Sequence, residues 1–110
     1  MILAAACGTT TPAPHESLLL QTSGSGPQTT KEFTATGPWS IAWSFDCGTD
    51  RGGSFFLDVF NASDHTPDFK NRGVDVEGGR HDSDTSHFAN PGTFYLEITS
   101  TCTWSIRVFE

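Results

Sequence analysis

Alternation of apolar and polar side chains is the clearest pattern in this chain of 110 residues. Between residues 39 and 47, every second position holds a large apolar side chain or a cysteine, and the positions between them hold smaller or polar ones. A period of two places successive side chains on opposite faces of an extended strand, so this segment predicts a half-buried strand. The side chains on its buried face are Trp39, Ile41, Trp43, Phe45 and Cys47.

The same alternation returns near the end of the sequence. In residues 102–109 the apolar face consists of Cys102, Trp104, Ile106 and Val108. Each of these two predicted strands therefore has a cysteine on its buried side at one end. A disulfide bond between Cys47 and Cys102 would join the two inward faces.

Five further segments predict short strands: 17–22, 29–35, 54–60, 72–77 and 93–99. Phe33 is expected to face inward in the second of them, whereas the third carries apolar side chains on both faces. Turn signals rich in glycine, proline and asparagine separate the segments. Residues 81–87 are polar and charged, and they predict a solvated acidic loop.

Seven or eight short strands with no helical period predict an all-β fold. The expected architecture is a seven- to eight-stranded antiparallel β-sandwich, either a jelly roll or immunoglobulin-like. The last two strands follow one another closely in the sequence, and we expect them to form a hairpin.

Length and charge narrow the class of protein. A chain of 110 residues forms one domain, and nine Phe and three Trp supply a core although the hydrophobic content is only 35%. The formal net charge of −7 argues against a nucleic-acid partner and provides no polybasic patch for anionic lipid. No apolar run approaches the roughly 20 residues that a transmembrane helix needs.

The first eight residues, Met-Ile-Leu-Ala-Ala-Ala-Cys-Gly, resemble the end of a bacterial lipoprotein signal, in which small residues precede the lipidated cysteine. The resemblance implies that Cys7 carries lipid, that the upstream part of the signal is missing from this sequence, and that the protein is anchored on the outer face of the bacterial cytoplasmic membrane. Residues 1–7 are then a signal remnant, residues 8–16 a polar linker and residues 17–110 the β-sandwich domain. The alternative is an ordinary N-terminus with a chance cysteine.

The number of cysteines agrees with this interpretation. Three is an odd number, and assigning Cys7 to lipid leaves Cys47 and Cys102 as a pair. Disulfide bonds persist in exported proteins and are rare in the cytosol. Two buried free thiols are the alternative, and a zinc site lacks the close Cys/His spacing that it requires.

Two segments resemble small bacterial lipoproteins that consist of a short signal, a linker and one disulfide-bonded β-sandwich. They are residues 39–47 and residues 92–108. The phrase Gly-Thr-Phe-Tyr-Leu-Glu-Ile within the second is also similar to strands of pre-peptidase C-terminal-type domains, which are non-catalytic modules of secreted enzymes. The matching residues are mostly packing residues, so the resemblance implies fold and location and little chemistry.

Acidic and histidine side chains concentrate between residues 75 and 87. Ca²⁺ takes six to eight oxygen ligands, and acidic loops at the end of a sandwich can provide them, although the spacing here matches no tight calcium motif. His81 and His87 are candidate ligands for a transition metal, with no third ligand specified. The calcium candidates are Asp75, Glu77, Asp82 and Asp84; no other cofactor is expected.

The sequence does not predict an enzyme. A glycosidase needs two carboxylates that flank one cleft, and the outward candidates are Asp46, Asp58 and Glu97. All four histidines fall in loops or the N-terminal segment, and no serine lies in a nucleophile-elbow motif.

Outward-facing aromatic side chains predict a binding surface, because they can stack on sugar rings or anchor a protein partner. They are Phe56, Phe60, Tyr95 and Phe109. Coverage by the N-terminal segment, with its leucines at 18–20, is the alternative. We therefore expect a non-catalytic, exported, lipid-anchored domain that binds an extracellular protein or carbohydrate or has a structural role. The alternatives are a carbohydrate-binding module and a small secreted hydrolase.

Overall fold

The computed structural model describes residues 17–48 and 52–110, which form nine strands and no helix. The strands are β1 (Leu18–Ser25), β2 (Gln28–Thr29), β3 (Phe33–Ala35), β4 (Trp39–Asp46), β5 (Gly53–Asn61), β6 (Val74–Gly79), β7 (His81–Phe88), β8 (Gly92–Ser100) and β9 (Thr103–Phe109). Within these described residues, no helix is long and apolar enough to cross a membrane. The predicted signal remnant, Cys7 and linker lie outside the described residues.

The strands form two antiparallel sheets that pack face to face. The four-stranded sheet has the order β1-β9-β4-β7, and the five-stranded sheet has the order β2-β8-β5-β6 with β3 also paired to β8. Alternate residues of both sheets face a shared core. This arrangement confirms the predicted all-β sandwich.

The strand order is that of a jelly roll. Strands β2 and β3 pair with successive parts of β8, so they form one interrupted edge strand. Counting them as one strand, the two sheets have the orders 1-8-3-6 and 2-7-4-5. This is the double Greek-key arrangement of a jelly roll, the first of the two predicted sandwich types.

The interruption between β2 and β3 corrects the single strand predicted over 29–35. The Thr30 amide donates to the Leu96 carbonyl over 2.9 Å, and the Leu96 amide donates to Thr30 Oγ1 over 3.0 Å. The threonine hydroxyl thus replaces a backbone carbonyl in the ladder. Phe33 is buried, as its position in the alternation predicted.

Aromatic side chains fill both ends of the core. At one end Trp39 packs between Phe88 and Phe94, with ring centroids 4.3 and 5.2 Å away, and Phe33 meets it edge-on at 5.2 Å. At the other end the rings of Trp43, Phe45 and Phe55 stack together, with centroids 5.5 to 6.3 Å apart. Such clusters let a small domain with few aliphatic residues bury a large apolar area.

The predicted disulfide bond between Cys47 and Cys102 is confirmed. Asp46 of β4 lies opposite Thr103 of β9, so the two cysteines are the next pair along this ladder, with Cα atoms 4.5 Å apart. Cys102 is buried and Cys47 is half-buried. The bond also packs across the sandwich on Gly53, where an added Cβ would lie 2.7 Å from Cys102 Sγ.

The predicted hairpin between the last two strands is wrong. Strand β8 pairs within the five-stranded sheet, whereas β9 pairs with β1 and β4 in the other sheet. The chain crosses between the sheets at Thr101 and Cys102, where Ser100 Oγ accepts the Cys102 amide over 3.0 Å and donates to the Ser54 carbonyl over 2.8 Å. These bonds satisfy the backbone groups that a hairpin ladder would have paired.

The loop predicted for residues 81–87 is also wrong, because this segment is the edge strand β7. Asp82 and Asp84 lie opposite Phe45 and Trp43, and so occupy the inward-facing positions of the strand. Their carboxylates accept the amides of the following residues, Ser83 at 2.8 Å and Thr85 at 2.7 Å. Inward charges of this kind protect an edge strand from pairing with another chain.

Candidate ligand-binding face

The outer face of the five-stranded sheet brings together aromatic and acidic side chains from three strands. They occupy alternate, outward positions of β5, β6 and β8 and therefore point away from the core. We call this surface the acidic aromatic face, which consists of Phe56, Asp58, Phe60, Asp75, Glu77, Tyr95 and Glu97.

A stacked aromatic pair forms one end of the acidic aromatic face. Phe60 and Tyr95 are partners across the β5–β8 ladder, with ring centroids 5.4 Å apart and ring planes 16° from parallel. Tyr95 is only 9% exposed, while Phe60 and Phe56 are half-buried. Phe56 and Phe60 therefore present part of their surface to a ligand, whereas Tyr95 is buried and holds the Phe60 ring in place by stacking on it.

His65 limits the exposure of Tyr95. Its φ of 60° is left-handed, an unusual conformation for a residue other than glycine. The imidazole lies beside the phenol, with ring centroids 5.6 Å apart and Nδ1 at 3.3 Å from the tyrosine hydroxyl. The turn is secured by Asp64, whose carboxylate accepts the hydroxyl of Thr66 at 2.6 Å and its amide at 3.1 Å. These hydrogen bonds lower the pKa of Asp64.

Two carboxylates face each other beside the aromatic pair. Asp58 and Glu97 are direct partners in the β5–β8 ladder, a position where like charges repel. Partial burial raises the pKa of Tyr95, and the negative charges of Glu97, Asp64 and Glu32 raise it further. The surface is thus negative and rich in hydrogen-bond acceptors, and it favours ligands that bring donors or positive charge.

A pocket of about 480 Å³ lies at the rim of this face, beneath the segment that connects β5 with β6. Asp58 and Asp75 form its wall on the sheet, and Phe69 borders it with 86% of its side chain exposed. Single exposed apolar side chains are normal on protein surfaces, so Phe69 is of interest here for its place beside the pocket and the acidic aromatic face. Phe69 could not be predicted as a candidate from the sequence, because a single aromatic in a polar loop has no periodicity to mark it.

Asn71 lines the same pocket and is only 2% exposed. Its Nδ2 donates to Asp68 Oδ2 over 2.8 Å and to the Asn90 carbonyl over 3.3 Å. Both partners are acceptors, which fixes the orientation of the amide and leaves Oδ1 buried without a donor. Asn71 thus ties the pocket loop to the segment before β8.

The fourth predicted surface aromatic, Phe109, lies on the other sheet. It occupies an outward position of β9, with the guanidinium carbon of Arg107 5.4 Å from its ring centroid. Leu18 of β1 is its ladder partner on one side. The N-terminal strand therefore lies beside Phe109, and the other three aromatics share the acidic aromatic face on the opposite sheet.

The calcium candidates are divided between the two sheets. Asp75 and Glu77 belong to the acidic aromatic face, whereas Asp82 and Asp84 bind the backbone of β7. Throughout residues 17–48 and 52–110, no group of three or more His, Cys, Asp or Glu side chains is placed to hold a metal ion.

The remaining candidates lie on the outer face of the four-stranded sheet. His87 Nδ1 lies 2.8 Å from Ser40 Oγ, and His81 is the ladder partner of Asp46. Asp46 Oδ1 accepts the amide of Gly48 over 2.8 Å and is separated by the sandwich from Asp58 and Glu97. Of the three carboxylates considered for sugar hydrolysis, only Asp58 and Glu97 come together.

The fold and this surface define a disulfide-bonded jelly roll with an acidic aromatic face. No protein-family model and no curated protein sequence matches the chain.

Proposed function

We propose that this protein is a non-catalytic, exported binding module of the bacterial cell envelope, and that the acidic aromatic face is its ligand surface. The observation that carries the proposal is the adjacency of the Phe60–Tyr95 stack and the Asp58–Glu97 carboxylate pair on one open sheet. Phe69 extends the surface with an aromatic ring that packs on little else. The disulfide bond supports the proposed location, because such bonds persist in oxidising compartments outside the cytoplasm.

The face also supports a carbohydrate-binding module as the alternative. Aromatic rings stack on the apolar face of a sugar ring, and carboxylates accept hydrogen bonds from its hydroxyl groups. Two partly exposed rings, Phe56 and Phe60, and four carboxylates on one sheet supply both kinds of contact. A protein partner with basic side chains would use the same groups.

Phe69→Ala is expected to weaken binding to isolated bacterial cell envelopes about tenfold, the effect of losing roughly 1.4 kcal/mol of contact energy at an interface hot spot. The side chain is 86% exposed, so its truncation leaves the fold intact. Co-sedimentation of the purified protein with envelope material, over a range of protein concentrations, measures the affinity.

Phe109→Ala on the opposite sheet is the matched control and should bind as the native protein does. Equal affinity of the Phe69 variant and the native protein would show that the acidic aromatic face is not the ligand surface. Protease treatment of the envelopes before the assay separates the two kinds of ligand. Loss of binding identifies a protein partner, and retained binding identifies a saccharide.

We also propose that Cys7 is lipidated and anchors the domain to the membrane. In the described part of the chain, Cys47 and Cys102 are joined to each other, which agrees with a separate role for the third cysteine. Expression behind a complete upstream signal should give a membrane-bound protein whose Cys7-containing peptide shows the mass of attached lipid. Cys7→Ser should release the protein from the membrane fraction, whereas a soluble, unmodified native product would refute the assignment.

A further inference from the structure

The two sheets present four edge strands, and such edges are templates for pairing with another chain. In the four-stranded sheet the edges are β1 and β7; in the five-stranded sheet they are β6 and the interrupted pair of β2 and β3. An edge is protected when it is short, irregular or charged. The four edges differ in these protective features.

Three of the edges carry protective features. Strand β7 has Asp82 and Asp84 in inward positions, and their carboxylates bind its own amides. Strand β6 bears Asp75 and Glu77 and ends in two glycines. Strands β2 and β3 are only two and three residues long, with a charged pair, Lys31 and Glu32, between them.

Strand β1 lacks charge and proline along its eight residues, Leu-Leu-Leu-Gln-Thr-Ser-Gly-Ser. Among residues 17–48 and 52–110 it pairs with β9 alone. The register slips by one residue near Leu19, and from Leu20 to Ser25 the pairing is regular. This regular part presents an uncharged edge of the kind to which strands add.

The hydrogen-bond pattern shows which amides are available on β1. The Gly26 amide donates to the Cys102 carbonyl over 3.4 Å, so residue 26 bonds toward β9. Bonding residues alternate in an antiparallel ladder, so Thr22 and Gly24 also bond toward β9. The amides and carbonyls of Gln21, Ser23 and Ser25 consequently point to the open edge.

We propose that β1 pairs with β1 of a second copy of this chain, antiparallel and centred on Thr22. In this register Gln21 of each copy exchanges backbone hydrogen bonds with Ser23 of the other. Two such exchanges give four bonds and join the two four-stranded sheets into one sheet of eight strands. The pairing has two-fold symmetry, the commonest symmetry of protein dimers.

The side chains of β1 complement themselves in this register. Leu20 of each copy lies opposite Gly24 of the other, where the side chains of Gln28 and Trp104 of that copy line the position and would pack on the leucine. The two Thr22 side chains meet at the two-fold axis, and Thr–Thr pairs are favourable across antiparallel strands. No charged residue of β1 opposes another. These features favour a second copy over an unrelated strand as the partner.

Net charge limits the strength of this dimer. Each copy carries a formal charge of −7, so the two copies repel each other over distances comparable to the Debye length, which is about 10 Å at 0.1 M salt. Added salt screens this repulsion but leaves the backbone hydrogen bonds in place. Dimerisation is therefore expected to increase with salt concentration.

Sedimentation of the full chain carrying Cys7→Ser tests the proposal without intermolecular disulfide bonds. The average mass should rise from monomer toward dimer between about 10 μM and about 1 mM protein, the range expected for a weak association. Ser23→Pro removes an outward amide without removing a bond to β9, so this variant should remain monomeric. Ser23→Ala retains the amide and should dimerise like the parent.

A cysteine placed at the two-fold axis tests the register. Thr22→Cys should form a disulfide-linked dimer under mild oxidation, because the two residues face each other directly. Gln21→Cys should cross-link much less, since the two copies of residue 21 are offset along the strands. A monomer at every concentration, or a dimer that Ser23→Pro leaves unchanged, would overturn the proposal.

Discussion

Replacing Cys47 and Cys102 together with alanine is expected to lower the free energy of unfolding by about 4 kcal/mol. The bond spans 55 residues, and removing it returns that loop-closure entropy to the unfolded chain. Both sulfur atoms also pack near Gly53 on the other sheet, and this contact disappears with them. Since small domains are stabilised by only about 5–15 kcal/mol in total, the loss removes a large part of the stability.

Urea unfolding followed by tryptophan fluorescence measures this change. Reduction of the native protein should shift the midpoint in the same direction, and Cys7→Ser, which leaves the bond intact, should leave the midpoint in place. An alanine double variant as stable as the native protein would show that the bond does not contribute to stability.

Trp39→Ala is expected to destabilise the domain by about 3–5 kcal/mol, the cost of emptying a large aromatic site in a core. The side chain is only 1% exposed and packs between Phe88 and Phe94. Its Nε1 also donates to the Asn90 carbonyl over 2.8 Å, a bond that the variant cannot form. Because Trp39 packs on Phe88 of one sheet and Phe94 of the other, its loss weakens the packing between the two sheets.

Trp39→Phe separates packing from hydrogen bonding. It keeps an aromatic ring in the site but loses the donor, and we expect a smaller cost of about 1–2 kcal/mol. Thermal unfolding monitored by circular dichroism compares the two variants with the native protein. Equal stability of Trp39→Ala and the native protein would contradict the central role of this side chain in the core.

Much of the fold could be predicted because its longest strands are buried on one face and exposed on the other. The alternation from Trp39 to Cys47 predicted both the strand and its inward face. In the structure, Cys102 lies opposite Cys47 in the ladder, as the predicted disulfide bond requires. A strand that buries one face needs large apolar side chains at every second position, and this requirement gives the sequence its period of two.

Alternation could not show which sheet a strand joins. Its parity did disfavour a hairpin with a two-residue loop, because partners across such a loop have opposite parity and the inward positions of β8 and β9 have the same one. Strand β7 was missed for another reason. At this edge, inward positions hold Asp82 and Asp84 in place of apolar side chains, and the usual signal of a strand is absent.

The acidic aromatic face could be predicted only in part. The outward parity of Phe56, Phe60 and Tyr95 followed from alternation, but their proximity depends on β5 and β8 being neighbours. The same lack of pairing information placed Phe109 with them, although it lies on the other sheet. Residues such as Phe69 and Asn71 become recognisable only when the loop between β5 and β6 is seen against the sheet.

The position of β9 has a consequence for how the chain reaches its native state. It is the last strand in the sequence, yet it lies inside the four-stranded sheet, between β1 and β4. Until residues 103–109 have been synthesised, β1 lacks the strand with which it pairs, and one side of β4 is open. Contacts such as Leu20 with Val108 join distant parts of the chain, and topologies of this kind fold on a timescale of milliseconds to seconds. The four-stranded sheet is therefore completed only when β9 enters between β1 and β4, two strands that precede it by many residues in the sequence.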